Sequence, residues 1–187
     1  MKIRLFLGRL AGFVLFSLNN LAAEYRREIL RKKLGRIGFG GTLGDNIQMS
    51  APEKVQLGDN VHIGRDAWIR AEGGLVIGSN THISRNVTIY TINHDYGGER
   101  LPYDDKIVKK PVLIGENVWI GMNVSIAPGT KIGEGAIIAL GACVSGEVPP
   151  LSIVGHQRLR VLGQRDAKHY HRLKDLGHFG GADGREI

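Results

Sequence analysis

The residues best suited to chemistry gather in one short stretch, Asn93-His94-Asp95-Tyr96. An imidazole titrates near neutrality, so His94 can take a proton from a hydroxyl and pass it on. Asn93, Asp95 and Tyr96 add donors and acceptors that could hold a polar substrate beside it. A lone histidine is more often a plain surface residue. Position is what marks this one: it stands where a regular repeat stops and Thr91 to Pro111 run without it. So long a non-repeating stretch in a compact domain is usually functional or disordered, and loops launched from a rigid scaffold commonly carry sites. Gly97-Gly98, Pro102 and the mixed charges of this stretch exclude a further repeat.

The scaffold is read from the spacing of aliphatics. Ile114, Ile120, Ile126, Ile132, Ile138 and Val144 recur every six residues. That period fits neither a helix nor a plain amphipathic strand, and it is the signature of a hexapeptide β-helix. Taken in threes, the inward positions are Ile37, Leu43, Met49; Leu57, Ile63, Ile69; Ile77, Ile83, Ile89; Ile114, Ile120, Ile126; and Ile132, Ile138, Val144. Each triple is one coil with three walls. Steps of eight join the first three triples, so a two-residue bulge is expected at one corner. The step of twenty-five from Ile89 to Ile114 places the excursion at that same corner.

A small residue follows the inward aliphatic on the first wall (Gly38, Gly58, Gly78, Gly115, Gly133) and the second (Gly44, Gly64, Ser84, Gly121, Ala139). These suit a tight corner with little room or a positive φ. The fold expected is all-β: a left-handed parallel β-helix of about five coils, with an inserted loop, an N-terminal helix and a short C-terminal helix. Its segments are 1–36, a basic helical arm; 37–155, the β-helix with the loop 91–111; and 156–187, a basic tail.

The formal net charge of +7 attracts anions generally, but no basic and aromatic pattern of a nucleic-acid module is present. Cys143 is the only cysteine, so no intrachain disulfide forms. The uncharged run Leu10–Ala23 is too short to span a bilayer, and no clear cleavage site for a signal peptide follows it. The N-terminal helix either packs on the prism or lies on a membrane surface, and a cytoplasmic protein peripheral to the inner face of the membrane is expected. Gln164–Leu176 has helical composition and would cap the open end of the prism.

Register alone points Trp119 outward, in line with His62 and His82, as an exposed ladder expected on the first wall. An exposed tryptophan on a solenoid wall suggests an interface or a ligand groove.

Together, Ile83–Asp95, Pro111–Gly121, Ala127–Gly135 and Val148–Pro150 make the chain resemble the hexapeptide-repeat acyltransferases, over Leu57 to about Gly155. The branch is that of the maltose and galactoside O-acetyltransferases and relatives acting on surface polysaccharides. The resemblance implies a homotrimer, acetyl-CoA as acyl donor, no metal, and sites in clefts between neighbouring prisms. It makes His94 the general base, with Asn93, Asp95 and Tyr96 toward the acceptor. Trp119, Gly121, Ala139, Leu140 and Ser145 match the donor groove. The family's Gly-x-Pro-Ala-Arg turn is replaced by Gly155-His156-Gln157-Arg158-Leu159-Arg160, so Arg158 and Arg160 are the candidates for the CoA phosphate. The acceptor asparagine of sugar-specific relatives has no equivalent near Arg70–Gly74, and the carboxylate orienting His94 is one of Asp95, Glu99, Asp104 and Glu116.

The function implied is acetyl-CoA-dependent O-acetylation of a sugar hydroxyl, in a polysaccharide or a lipid-linked precursor. One alternative is N-acetylation of a nucleotide-linked amino sugar. Another is a zinc hydratase of the carbonic anhydrase type, using His62, His82 and His94.

Overall fold

The computed structural model describes residues 2–155 and 163–180, with side-chain surroundings given for residue 12 and from 14 onward. The chain divides into two units, Met1–His156 and Gln157–Ile187. In the first, helix α1 (Lys2–Lys33) leads into a parallel β-solenoid.

Three parallel sheets form its walls. The first contains Arg36–Ile37, Val55–Leu57, Leu75–Ile77, Val112–Ile114, Lys131–Ile132 and Glu147–Val148. The second runs from Thr42–Leu43 to Ile153–Val154 in six strands, and the third from Gln48–Ser50 to Cys143–Val144 in five. Register is the one expected from the spacing: Ile77 pairs with Ile114, Ile83 with Ile120, and Ile89 with Ile126.

There are about six coils rather than five. Val148 and Val154 supply two walls of a further turn, pairing with Ile132 and Ile138. The step from Val144 to Val148 is four, which breaks the period and hides this last turn from the spacing.

From Leu57 to Val144 each repeat also buries a second residue, two places before the aliphatic: Val55, Val61, Ala67, Leu75, Val87, Val112, Val118, Val124, Ala136 and Ala142. Thr81 and Thr130 take this slot and are fully buried. Their hydroxyls are satisfied, Thr81 Oγ1 donating to the Gly115 carbonyl at 2.9 Å and Thr130 Oγ1 to that of Ala127 at 2.7 Å. A buried hydroxyl without such a partner would destabilise the core.

The small residues after the aliphatics are there for space and not for φ. A Cβ on Gly121 would lie 2.7 Å from the Leu140 amide nitrogen, inside the next coil's backbone. Left-handed backbone falls two residues later, on Asn46, Asn60, Asp66, Asn80, Asn86, Asn117 and Asn123, with φ from 53° to 61°. Asn and Asp tolerate that region better than most side chains. Their side chains also link coils, Asn86 Nδ2 donating to Asn123 Oδ1 at 2.7 Å.

The third corner is different. The short turn Pro52–Lys54 and the turn ending at Gly74 (φ 99°) take up the steps of eight. The excursion leaves from the same corner.

The C-terminal half of α1 lies against the solenoid. Leu30 and Leu34 pack on the core, Arg31 donates to the Gly41 carbonyl at 3.0 Å, and Arg27 pairs with Asp45. In the second unit, helix α2 (Ala167–Asp175) is capped by Asp166, whose carboxylate accepts from the His169 amide at 2.7 Å.

Candidate active site

The excursion is a hairpin at its root, not a plain loop. Ile92–His94 pairs antiparallel with Ile107–Lys109, placing His94 opposite Ile107. Thr91, fully buried, ties both ends to the corner. Its Oγ1 donates to the Arg70 carbonyl and accepts from the Gly73 amide, each at 2.7 Å, while its carbonyl accepts from the Lys110 amide at 2.8 Å. A three-residue strand anchored this way presents His94 in a fixed position.

His94 is exposed, and its ring stacks on Tyr103 with centroids 3.9 Å apart and planes 20° apart. Tyr103 comes from the far side of the hairpin, nine residues on, and no spacing rule pairs the two. Asn93, His94, Asp95 and Tyr96 line a cleft of about 410 Å³ with Val108, Lys110, Ala127 and Pro128. The four predicted residues therefore do lie together. Lys110, Ala127 and Pro128 join them because the hairpin folds back over the next coil's third corner.

None of the four carboxylates proposed to orient His94 bonds to its ring among the described residues. Asp95 is held by Lys106 at 2.9 Å and accepts from the Gly97 amide at 3.0 Å. The Lys106 bond keeps the Asp95 carboxyl below its ordinary range, and Asp95 in turn raises Lys106. Asp104 accepts from the amides of Glu99 and Lys106 and so shapes the hairpin. Glu116 sits near the first corner, beside Arg36, Gln56 and Ser79. At the hairpin's root, where the resemblance led one to look for an asparagine, Arg70 and Glu72 form a salt bridge of 2.8 Å.

Four of the donor-groove residues also come together. Trp119 pairs with Ile137, the Gly121 amide donates to the Ile138 carbonyl at 2.8 Å, and Ala139 and Leu140 follow at the same corner. Trp119 and Leu140 are 57% and 58% exposed. Ser145 is elsewhere: it follows Val144, which pairs with Ile126, and so lies at the third corner near Ala127. Arg158 and Arg160 lie outside the described residues.

The ladder His62–His82–Trp119 forms, but on the second wall. Each member precedes an inward residue of that wall, Ile63, Ile83 or Ile120, and must share it. His62 and His82 meet edge to face at 4.5 Å. Thr42 Oγ1 is 2.7 Å from His62 Nδ1, and Asn60 Oδ1 is 2.9 Å from Nε2. His94 rises from the edge between the third and first walls, which is the edge opposite. Within one chain the three histidines do not converge, so the grouping suggested for a hydratase does not form there.

The same topology separates His94 from Trp119. Both flank the coil that spans Val112–Ile126, at one height, on opposite sides of the prism.

Comparison with known proteins agrees with this architecture. The family description "Bacterial transferase hexapeptide (six repeats)" matches residues 111–146, and "Hexapeptide repeat of succinyl-transferase" matches residues 54–91. The galactoside O-acetyltransferase of Escherichia coli (strain K12) is 34% identical over 139 residues, covering 70% of this chain and 68% of that protein. A hexapeptide-repeat acetyltransferase of Vibrio cholerae O1 biovar eltor, solved with acetyl coenzyme A, superimposes with a TM-score of 0.65 at 25% identity, over 76% of this chain and 78% of that one. A maltose O-acetyltransferase of Clostridium difficile 630 gives 0.62 at 30% identity, over 76% of each chain. With repeats, register and these relatives in accord, the chain belongs to the hexapeptide-repeat acetyltransferases.

Proposed function

We propose that this protein transfers the acetyl group of acetyl-CoA to a sugar hydroxyl, with His94 as general base. The acceptor hydroxyl gives its proton to the imidazole as its oxygen attacks the thioester carbonyl. The carbon–sulfur bond then breaks, and the proton passes to the leaving thiolate to release CoA. A positioned base typically contributes about 10²–10⁴-fold to such a step. The acceptor side is the cleft of His94, Asn93, Asp95 and Tyr96. The donor side is the groove of Trp119, Gly121, Ala139 and Leu140, where the exposed Trp119 and Leu140 side chains offer apolar surface to an extended chain. Surface polysaccharide, or its lipid-linked precursor, is the acceptor class we favour.

One observation carries the reading: cleft and groove lie at one height on opposite sides of the same prism. A neighbour rotated about an axis parallel to the solenoid brings the Trp119 wall of one copy to the His94 edge of the next. Ser145, at the third corner, would then reach the shared cleft from the His94 side. Closed cyclic symmetry makes every such contact with one repeated interface, and a three-walled prism suits a trimer.

Complementation tests both the chemistry and the sharing. His94→Ala and Trp119→Ala chains should each release little CoA thiol from acetyl-CoA when assayed alone. Mixed by co-expression, they should recover about a quarter of wild-type activity, since about one interface in four would keep both residues. No recovery, or a monomer by light scattering, would overturn the shared site. Acceptance of amino sugars instead of hydroxyl acceptors would replace O- by N-acetylation.

A further inference from the structure

We infer that the outer face of helix α1 docks on an anionic lipid surface, lying along it rather than across it. The proposal is independent of the acetyl-transfer reading.

Charge is the first support. Residues 1–36 carry nine Lys and Arg against two Glu, while residues 37–187 carry sixteen basic against sixteen acidic. The whole excess of +7 therefore belongs to this arm. Within it, basic residues bracket an apolar run: Lys2, Arg4 and Arg9 precede Leu10–Ala23, and Arg26, Arg27, Arg31, Lys32 and Lys33 follow.

Exposure is the second. Val14, Leu15, Phe16, Leu18, Leu21 and Tyr25 are bare, Phe16 and Leu21 each at 64% and Tyr25 at 68%. Val14, Leu18, Leu21 and Tyr25 fall at spacings of four, three and four, one face of a helix. The polar Ser17, Asn19 and Asn20 lie off that stripe. Leu30 and Leu34, which pack on the solenoid core, lie about 160–200° round the helix from Val14 at 100° per residue. Val14, Leu18 and Leu21 thus face away from the side on which Leu30 packs, while Tyr25, farther along, borders the cleft between helix and solenoid. Lys32 continues the stripe at its C-terminal end, where a basic group meets lipid headgroups.

Length decides the mode. Fourteen uncharged residues give about 21 Å of helix, short of the roughly 30 Å of a bilayer core. Among the described residues no helix is long and apolar enough to cross a membrane. An apolar face with basic flanks and too little length is the description of an interfacial helix. Each Lys or Arg near an anionic surface contributes about fivefold to binding.

The test uses the full-length protein, floated with vesicles of phosphatidylcholine alone or with a third phosphatidylglycerol. Binding is expected on the anionic vesicles, weakening as salt is raised. Leu18→Asp with Leu21→Asp should abolish it, and Lys32→Gln with Lys33→Gln should reduce it roughly twenty-five-fold by that per-charge factor. Circular dichroism should be unchanged, since neither pair touches the core. Absence of binding to anionic vesicles, or equal binding to neutral ones, would overturn the proposal. So would a fall in molar mass on substituting Leu18 and Leu21, which would assign the face to a second copy of the chain.

Discussion

The coils and the hairpin are built by opposite rules. A residue on a coil wall is held from both sides, as Ile120 is by Ile83 before it and Ile138 after it. Its identity is dictated by that stacking. The strands of the hairpin Ile92–Lys109 pair with each other and not with a coil wall, and its root is tied down through Thr91. Freed from the stacking register, it can present His94, Tyr96 and Lys110 for other purposes. In the function proposed, the base stands on the hairpin and the donor groove on the coils, and the root joins the two regions.

The sharpest way to break this division is His94→Ala. Turnover should fall about 10²–10⁴-fold, roughly 3–5 kcal/mol in the barrier, with the circular dichroism of the wild type. An outward side chain on the hairpin buries little, so stability should not change. Near-normal turnover would take the chemistry out of the hairpin.

Ile77→Ala should do the converse. This side chain is 1% exposed between Leu57 and Ile114, and its loss should destabilise by about 2–5 kcal/mol in chemical denaturation. The protein that remains folded should keep its turnover. Loss of turnover in fully folded material would show that the packing of the core is felt at the hairpin or the donor groove.

A corner gives a smaller effect. Asn117 holds φ at 57°, so Asn117→Ala should cost about 1–2 kcal/mol while Asn117→Gly stays near wild type. Equal stability of the two variants would remove left-handed backbone as the reason for the Asn repeat.

Within the hairpin, Tyr103→Ala should lower turnover about two- to tenfold by releasing the stacked His94 ring. Tyr103→Phe should restore it, because stacking needs no hydroxyl. A merely structural tyrosine would not separate the two variants in turnover at equal stability.

The smallest effect is that of the Asp95–Lys106 pair. Asp95 is depressed, so its contribution is present above the ordinary value of 3.8 and is lost as pH falls through the lower folded value. Lys106 is raised, so its contribution is present below 10.5 and is lost as pH rises through the higher folded value. Amide exchange of residues 92–109 should show protection from this pair that holds between those limits and declines below and above them. Asp95→Asn should remove the decline at low pH.

Sequence by itself determined the solenoid, the register of its three walls and the place where the repeat breaks. Those features are local: one aliphatic every six residues can be read without knowing what lies across the prism. The outward direction of Trp119 and the prominence of His94 followed from the same period. Placement of the ladder on the second wall, and of Ser145 on the third, follows from the register, since Ile63, Ile83 and Ile120 are second in their triples and Val144 is third. Tertiary structure alone decided the rest. The stacking of His94 on Tyr103 depends on how the hairpin folds back, and Lys106 claims Asp95 for the same reason. That His94 and Trp119 stand on opposite sides depends on how the chain closes round the prism. Spacing is a property of neighbours along the chain, whereas sidedness belongs to closure, and closure joins residues that the sequence keeps far apart.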